Sequence, residues 1–122
     1  MPKGGPGVVP PKPIVYRESP GVQIFQSILR DLVVEGAYLA WLHSNPKGYV
    51  LNCSDHPPEQ HYPMLHNSAC WTIGREAKHF SGASFKACSN NKETLVAWAV
   101  KNDKVAQSVC RWCAQRTGLT WA

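Results

Sequence analysis

The chain has 122 residues, enough for one small domain, and 43% of them are hydrophobic, which supports a modest core. No run of about 18 apolar residues occurs, so no membrane-spanning helix is expected. Residues 1–5 do not begin an apolar secretory signal, and five cysteines is an odd number for a disulfide framework. We therefore expect a protein of the reducing cytoplasm.

The net charge of +5 is concentrated in the second half of the chain. Residues 1–60 contain five Lys or Arg and five Asp or Glu, whereas residues 61–122 contain eight and three. A basic surface on one module is typical of proteins that bind a polyanion, usually nucleic acid. The alternative is a solvated face that keeps the protein soluble.

Residues 1–19 are predicted to form a flexible arm, because they are rich in Pro and Gly. The folded domain is then expected to span residues 20–122. Helical periodicity at its start, strand-like stretches in its middle and a helical stretch near its end predict a small single α+β domain. This domain would have N-terminal helices, a short sheet and one structural zinc site.

Two helices are predicted at the beginning of this domain. Ser19-Pro20 has the form of a helix N-cap followed by proline at the first helical position. Apolar residues recur at helical spacing over residues 22–33, and Gly36 is expected to end or kink this helix. A second short helix is predicted over residues 37–42, ended by Asn45-Pro46.

Three short strands are predicted in the middle of the chain, over Tyr49–Cys53, Met64-Leu65 and Ser84–Cys88. The loop between the first two contains His56 and His61, which we interpret as surface residues. Two loop histidines could also bind a second metal ion, and a long loop is a candidate contact region.

A further helix is predicted after Asn90, which would cap it together with Glu93 three positions later. Leu95 and Trp98 give this helix an apolar face. The chain then returns to Cys110, and residues 111–116 are predicted to form a turn or a final helix.

Two pairs of metal-ligand residues form the strongest functional pattern. Three residues separate His66 from Cys70, and two separate Cys110 from Cys113. Two soft donors on a single turn can reach the same ion, and two such pairs complete the tetrahedron of a structural Zn²⁺ site. Because CxxC also occurs in redox sites, a disulfide or redox pair stays an alternative.

Cys88 leaves the identity of the fourth ligand open. It could replace His66 to give a four-cysteine site, or it could be a buried thiol at the end of a strand. The compact spacing of the His66 and Cys70 pair favours His66. Cys53, alone on a predicted strand, is interpreted as a small buried hydrophobic residue.

The order of these residues resembles the N-terminal zinc module of Ada-type DNA repair proteins. The matching stretches are Leu-His-Asn-Ser-Ala-Cys at 65–70, Glu-Thr-Leu at 93–95 and Cys-Arg-Trp-Cys at 110–113. The resemblance covers about residues 64–115. Small bacterial proteins in which histidine replaces the first cysteine are similar as well, and they share the stretches at 38–42 and 46–52.

The resemblance implies a zinc module that binds double-stranded DNA. In the Ada module the first cysteine, as a zinc thiolate, accepts a methyl group from a DNA phosphotriester. His66 stands at that position here, and an imidazole ligand cannot play that part, so phosphotriester repair is not expected. Cys70, Cys110 and Cys113 would then serve only as structural ligands.

The leading hypothesis is therefore a non-catalytic zinc module that binds double-stranded DNA, with methylated or otherwise modified DNA as a refinement. Basic side chains would contact phosphates. Two tryptophans beside the ligands would stack on a flipped or modified base, line a pocket for a base methyl group, or only pack around the zinc. The candidate DNA contacts are Arg75, Lys78, Lys86, Arg111, Arg116, Trp71 and Trp112.

Two other classes of function are compatible with a zinc-binding pattern. An enzyme would need an open zinc position, but the deaminase, P-loop, HExxH and nucleophile-elbow motifs are all missing from the sequence, so no catalysis is expected. The alternative is a structural or protein-interaction zinc module of a larger bacterial system. Its partner surface would be the arm and the first helix, and its binding would be less sensitive to salt.

Overall fold

The computed structural model describes residues 19–26, 32–54, 63–73, 84–106 and 108–121. Within these ranges the chain forms a mixed five-stranded sheet and three helices, which confirms the predicted α+β class. In chain order the elements are β1 (Gln23–Gln26), α1 (Leu32–Ser44), β2 (Tyr49–Ser54), β3 (Met64–Asn67), β4 (Ser84–Ser89), α2 (Lys92–Lys101), β5 (Ser108–Val109) and α3 (Arg111–Thr117).

The described helices include none that is long and apolar enough to cross a membrane. Several sequence predictions fall on parts of the chain outside the described ranges. These are the arm before Ser19, the loop histidines His56 and His61, and the basic residues Arg75 and Lys78.

The sheet has the strand order β1-β4-β2-β3-β5. Its first four strands are antiparallel neighbours, and β5 pairs parallel to β3. Along the centre of the sheet, Leu51 of β2 lies between Ala87 of β4 and Leu65 of β3. All three side chains are fully buried, so the core runs through the middle of the sheet.

Helices α1 and α2 cover opposite faces of the sheet. Tyr38 of α1 contacts Phe25, with ring centroids 5.7 Å apart, and Trp98 of α2 contacts Phe85 at 6.4 Å. Phe25 is the cross-strand partner of Lys86, the residue after Phe85 in β4. Because successive side chains of a strand point to opposite faces, the two aromatic pairs lie on opposite sides.

The first predicted helix is wrong at its start, because Gln23–Gln26 is strand β1. Gly21, at φ 83°, allows a tight turn in which the N–H of Val22 donates to the Ser19 carbonyl at 2.9 Å. The chain then pairs antiparallel with β4. Tertiary pairing and the burial of Val22 outweigh the local helical periodicity here.

The predicted break at Gly36 is also wrong, since α1 continues through it to Ser44. A glycine inside a helix costs only about 1 kcal/mol relative to alanine, and the packing of α1 on the sheet outweighs that cost. The cap of α2 lies one residue later than predicted. The side chain of Asn91 accepts from the N–H of Thr94 at 2.9 Å, while Asn90 donates to Asn45.

Lys86 is buried, which makes its predicted contact with DNA phosphate wrong. Its side chain is 1% exposed, and Nζ donates to Asn52 Oδ1 on the neighbouring strand at 2.6 Å. The sequence pattern of β4 predicts one exposed face, but β4 lies between β1 and β2 and is covered on both sides. Burial lowers the pKa of Lys86 to about 8, and electrostatic attraction to Cys53 and Cys88 limits this decrease.

We expect a pH-dependent effect of Lys86→Met on stability. The pKa of this lysine is about 8 in the folded protein and about 10.4 when unfolded. Between these two values the unfolded chain therefore binds more protons than the folded chain. The free-energy penalty of burying the charge is present in full below about pH 8 and disappears as the pH rises. Unfolding in urea should show the advantage of Lys86→Met over wild type shrinking by about 2 kcal/mol between pH 7 and pH 10.

Lys101→Met removes an exposed positive charge at the end of α2 and serves as the control. Its stability difference from wild type should stay constant over the same pH range. A difference for Lys86→Met that does not vary with pH would contradict the buried, ionisable state of this lysine.

Candidate metal centre

Four buried side chains meet where two parts of the chain come together. They are His66 of β3, Cys70 in the turn that follows, Cys110 after β5 and Cys113 in the first turn of α3. The candidate ligand atoms, one from each residue, all lie within 4.8 Å of one another. These four residues could hold a metal ion, and they are the four that the sequence pattern predicts.

Strand pairing brings the two halves of this cluster together. In the parallel ladder, Leu65 of β3 is the partner of Val109 in β5, and the N–H of Cys110 donates to the Leu65 carbonyl at 2.9 Å. The residues that follow the ladder on each strand, His66 and Cys110, are therefore neighbours. Each strand then turns sharply, so the second ligand of each pair folds back toward the first.

Each turn is fixed by its own backbone hydrogen bonds. The N–H of Cys70 donates to the Asn67 carbonyl at 3.0 Å, which closes the turn after β3. The N–H of Ala114 donates to the Cys110 carbonyl at 2.9 Å, which starts α3. The ligand positions are thus set by local structure as well as by the sheet.

Polar groups around the cluster also contact the candidate ligand atoms. The backbone N–H of Asn67 donates to Cys113 Sγ at 3.2 Å, and the hydroxyl of Thr72 lies 3.0 Å from Cys70 Sγ. The same hydroxyl lies 3.5 Å from Nδ1 of His66. Such outer contacts orient metal ligands and stabilise thiolates. No feature of the sequence identifies the Asn67 N–H as a donor to Cys113, because this contact forms only when β3 and α3 come together in the folded protein.

The local environment moves the pKa values of two thiols in opposite directions. Burial raises the pKa of Cys110, but hydrogen bonds with the backbone of Cys113 and Trp112 and with neighbouring thiols outweigh it, so the net pKa is lowered. Burial raises the pKa of the Cys113 thiol well above its ordinary value, although the hydrogen bond from the Asn67 N–H acts in the opposite direction. A cation in the cluster would favour both thiolates and release protons on binding.

The sulfur separation fits a tetrahedral ion. With Zn–S bonds of about 2.3 Å, two sulfur ligands at the corners of a tetrahedron lie about 3.8 Å apart. Cys70 Sγ and Cys110 Sγ are 3.8 Å apart. All five cysteines are free thiols, and the Cys70–Cys110 sulfur separation of 3.8 Å is far longer than an S–S bond of about 2.05 Å.

The alternative fourth ligand, Cys88, is not a member of the cluster. Val50 of β2 is the cross-strand partner of both Cys88 and His66, so a whole strand separates these two residues. Two strand spacings amount to about 9.5 Å, so Cys88 lies too far from the position of His66 to take its place in a cluster whose ligand atoms lie within 4.8 Å of one another. Cys88 is instead buried in the core, and burial raises its pKa.

The candidate DNA contacts that the structure describes lie beside this cluster, apart from Lys86. Trp71 and Trp112 are 50% and 47% exposed, and their rings meet edge to face with centroids 5.7 Å apart. They are therefore not simply packed around the cluster. Arg111 and Arg116 are exposed on α3.

Comparisons with protein-family models, with curated proteins and with solved structures found no match to this chain. The resemblance to the Ada-type zinc module therefore stays a prediction that rests on the residues themselves.

We expect Cys113→Ala to abolish metal binding and Cys88→Ala to preserve it. Both replace a buried thiol, but only Cys113 belongs to the cluster. An ion present at a hundred times its Kd stabilises the folded state by about 2.7 kcal/mol. This corresponds to about 10–20 °C in Tm for a domain of this size. Metal content by mass spectrometry and thermal unfolding with and without a chelator measure both effects.

The chelator should lower the Tm of the wild type and of Cys88→Ala and leave that of Cys113→Ala unchanged. One equivalent of metal retained by Cys113→Ala would contradict the ligand assignment.

Proposed function

We propose that His66, Cys70, Cys110 and Cys113 bind one structural Zn²⁺ ion. Three thiols and an imidazole are the soft and borderline donors that zinc prefers, and the sulfur separation of 3.8 Å suits its tetrahedral geometry. Four protein donors fill the tetrahedron. Such a site keeps no position for an activated water, which supports a non-catalytic role.

We further propose that the zinc module binds double-stranded DNA through the exposed surface of α3 and the turn after β3. The observation that carries this proposal is the composition of α3. Cys113 is its one buried residue, while Arg111, Trp112 and Arg116 are exposed. The ligand therefore anchors a short helix whose outer surface is basic and aromatic.

The charge of this surface suits a phosphate backbone. The second half of the chain carries the whole net charge of +5. Guanidinium groups form paired hydrogen bonds with phosphate oxygens, so Arg111 and Arg116 would position the duplex. Burial of Lys86 removes one predicted contact but leaves this surface intact.

Methylated or otherwise modified DNA is the proposed refinement of the target. Exposed tryptophan rings beside the metal offer an apolar contact for a base methyl group. His66 takes the position of the methyl-accepting cysteine in the Ada-type resemblance, so the module would recognise a modification without removing it.

We expect the affinity for a 20-base-pair duplex to fall steeply with salt and to depend on the two exposed arginines. Each phosphate contact contributes about one unit to the slope of log K against log salt concentration. Arg111→Gln and Arg116→Gln should each flatten this slope by about one unit in fluorescence anisotropy titrations. Lys101→Gln, at the last turn of α2, should leave the slope unchanged.

Zinc content measured on the same samples separates the two parts of the proposal. One zinc per chain with no binding of duplex would reject the DNA proposal and favour the protein-interaction module. An equal slope for all three variants would reject the placement of the phosphate contacts on α3. A cytosine-methylated copy of the duplex tests the refinement, since equal affinity for both duplexes would rule it out.

A further inference from the structure

A small pocket opens directly beside the metal centre. Its volume is about 250 Å³, below the range of about 300–1,000 Å³ that is typical of sites for drug-sized ligands. It therefore suits a single small ring system. The residues that line it are Asn67, Ala69, Cys70, Trp71, Trp112, Cys113, Arg116 and Thr117.

We infer that this pocket binds one nucleobase extruded from the duplex, a step that deepens the proposed DNA binding and rests on it. The base would stack on the exposed tryptophan rings, and its edge would accept hydrogen bonds from Asn67 and Arg116. The ligand class is a base with a carbonyl group on that edge.

The aromatic walls favour a flat ligand. Trp71 and Trp112 meet at 74°, edge to face, so neither ring is stacked on the other. Each is about half exposed, which leaves ring surface open to the pocket. Each also neighbours a cluster cysteine in sequence, and the two rings contact each other with centroids 5.7 Å apart. Stacking on a base is the interaction that such open rings offer.

The polar groups of the pocket include a hydroxyl, an amide and a guanidinium group. The hydroxyl of Thr117 lies 2.8 Å from both Asn67 Oδ1 and the Cys113 carbonyl oxygen, and its one hydrogen can be donated to only one of them. The Asn67 amide carries two N–H donors as well as this oxygen. Arg116 adds a guanidinium group, which has donors and no acceptor. An excess of donors over acceptors matches the carbonyl oxygens of guanine, thymine and cytosine, and adenine is the base that lacks a carbonyl.

Net positive charge in this half of the chain favours a nucleic acid as the source of the base. Arg111 lies one residue before Trp112 and is exposed. A phosphate contact at Arg111 would therefore place the DNA backbone close to the mouth of the pocket.

The test compares a fully paired duplex with the same duplex carrying one thymine opposite an abasic site, at one salt concentration. Extrusion of an unpaired base avoids the few kcal/mol that unpairing costs. We expect the thymine duplex to bind at least tenfold more tightly in anisotropy titrations. Adenine opposite the abasic site should give the smallest gain in affinity over the paired duplex.

Two variants distinguish the pocket from the phosphate surface. Trp112→Ala should lose at least about fivefold more affinity for the thymine duplex than for the paired duplex, the lower limit for one lost stack. Arg111→Gln should weaken binding of both duplexes by the same factor and keep their ratio. Zinc at one per chain and an unchanged Tm confirm that each variant is folded, and Asn67→Ala provides a second, smaller change in the pocket.

The outcomes separate this inference from the proposed function. Salt-sensitive binding with equal affinity for both duplexes overturns the pocket and leaves the DNA-binding proposal standing. A preference for the thymine duplex that survives in both Trp112→Ala and Asn67→Ala also overturns the pocket. An equal gain for adenine overturns the assignment of a carbonyl edge. No binding of either duplex overturns both proposals.

Discussion

The meeting of His66, Cys70, Cys110 and Cys113 is the constraint on which strand β5 and helix α3 depend. Helix α3 buries only one of its residues, and strand β5 is two residues long, so neither has enough apolar surface to dock by itself. What fixes them is a short parallel ladder and the ligand cluster. A small domain has little stability to spare, and an ion bound by this cluster would link two distant segments and compensate for that deficit.

Buried polar groups between α1 and the sheet show why additional stability from a bound ion would matter. Glu35 and Tyr38 lie on one face of α1, and both are buried. Neither carboxylate oxygen of Glu35 has a hydrogen-bond partner among the described residues, and Lys86 is buried on the face of the sheet that α1 covers. Burying such groups lowers stability, and their desolvation partly offsets the apolar core. Tyr38, in the middle of α1, donates to the Ile73 carbonyl, three residues after the candidate ligand Cys70, so α1 also contacts the segment that carries this ligand.

The sequence predicts the candidate ligand cluster more directly than it predicts strand β1, because the two depend on different ranges of interaction. Ligand spacing is local, so the residues of the cluster could be read directly from their intervals. Strands β2 and β4 and helix α2 also carry local patterns. Strand β1 depends on pairing with β4, some sixty residues away, and its own residues have helical periodicity. The burial of Lys86 follows from the central position of its strand, which no local pattern indicates.

The choice of His66 over a fourth cysteine has consequences for both chemistry and binding. With Zn²⁺ bound, three thiolates and a neutral imidazole give a formal charge of about −1, whereas four thiolates would give about −2. A less negative centre repels a nearby phosphate backbone less, and Arg111 and Arg116 flank this centre. The same replacement removes the nucleophile that the Ada-type resemblance would otherwise place there. Weaker repulsion and the absence of a reactive sulfur at this position both suit a module that recognises DNA without altering it.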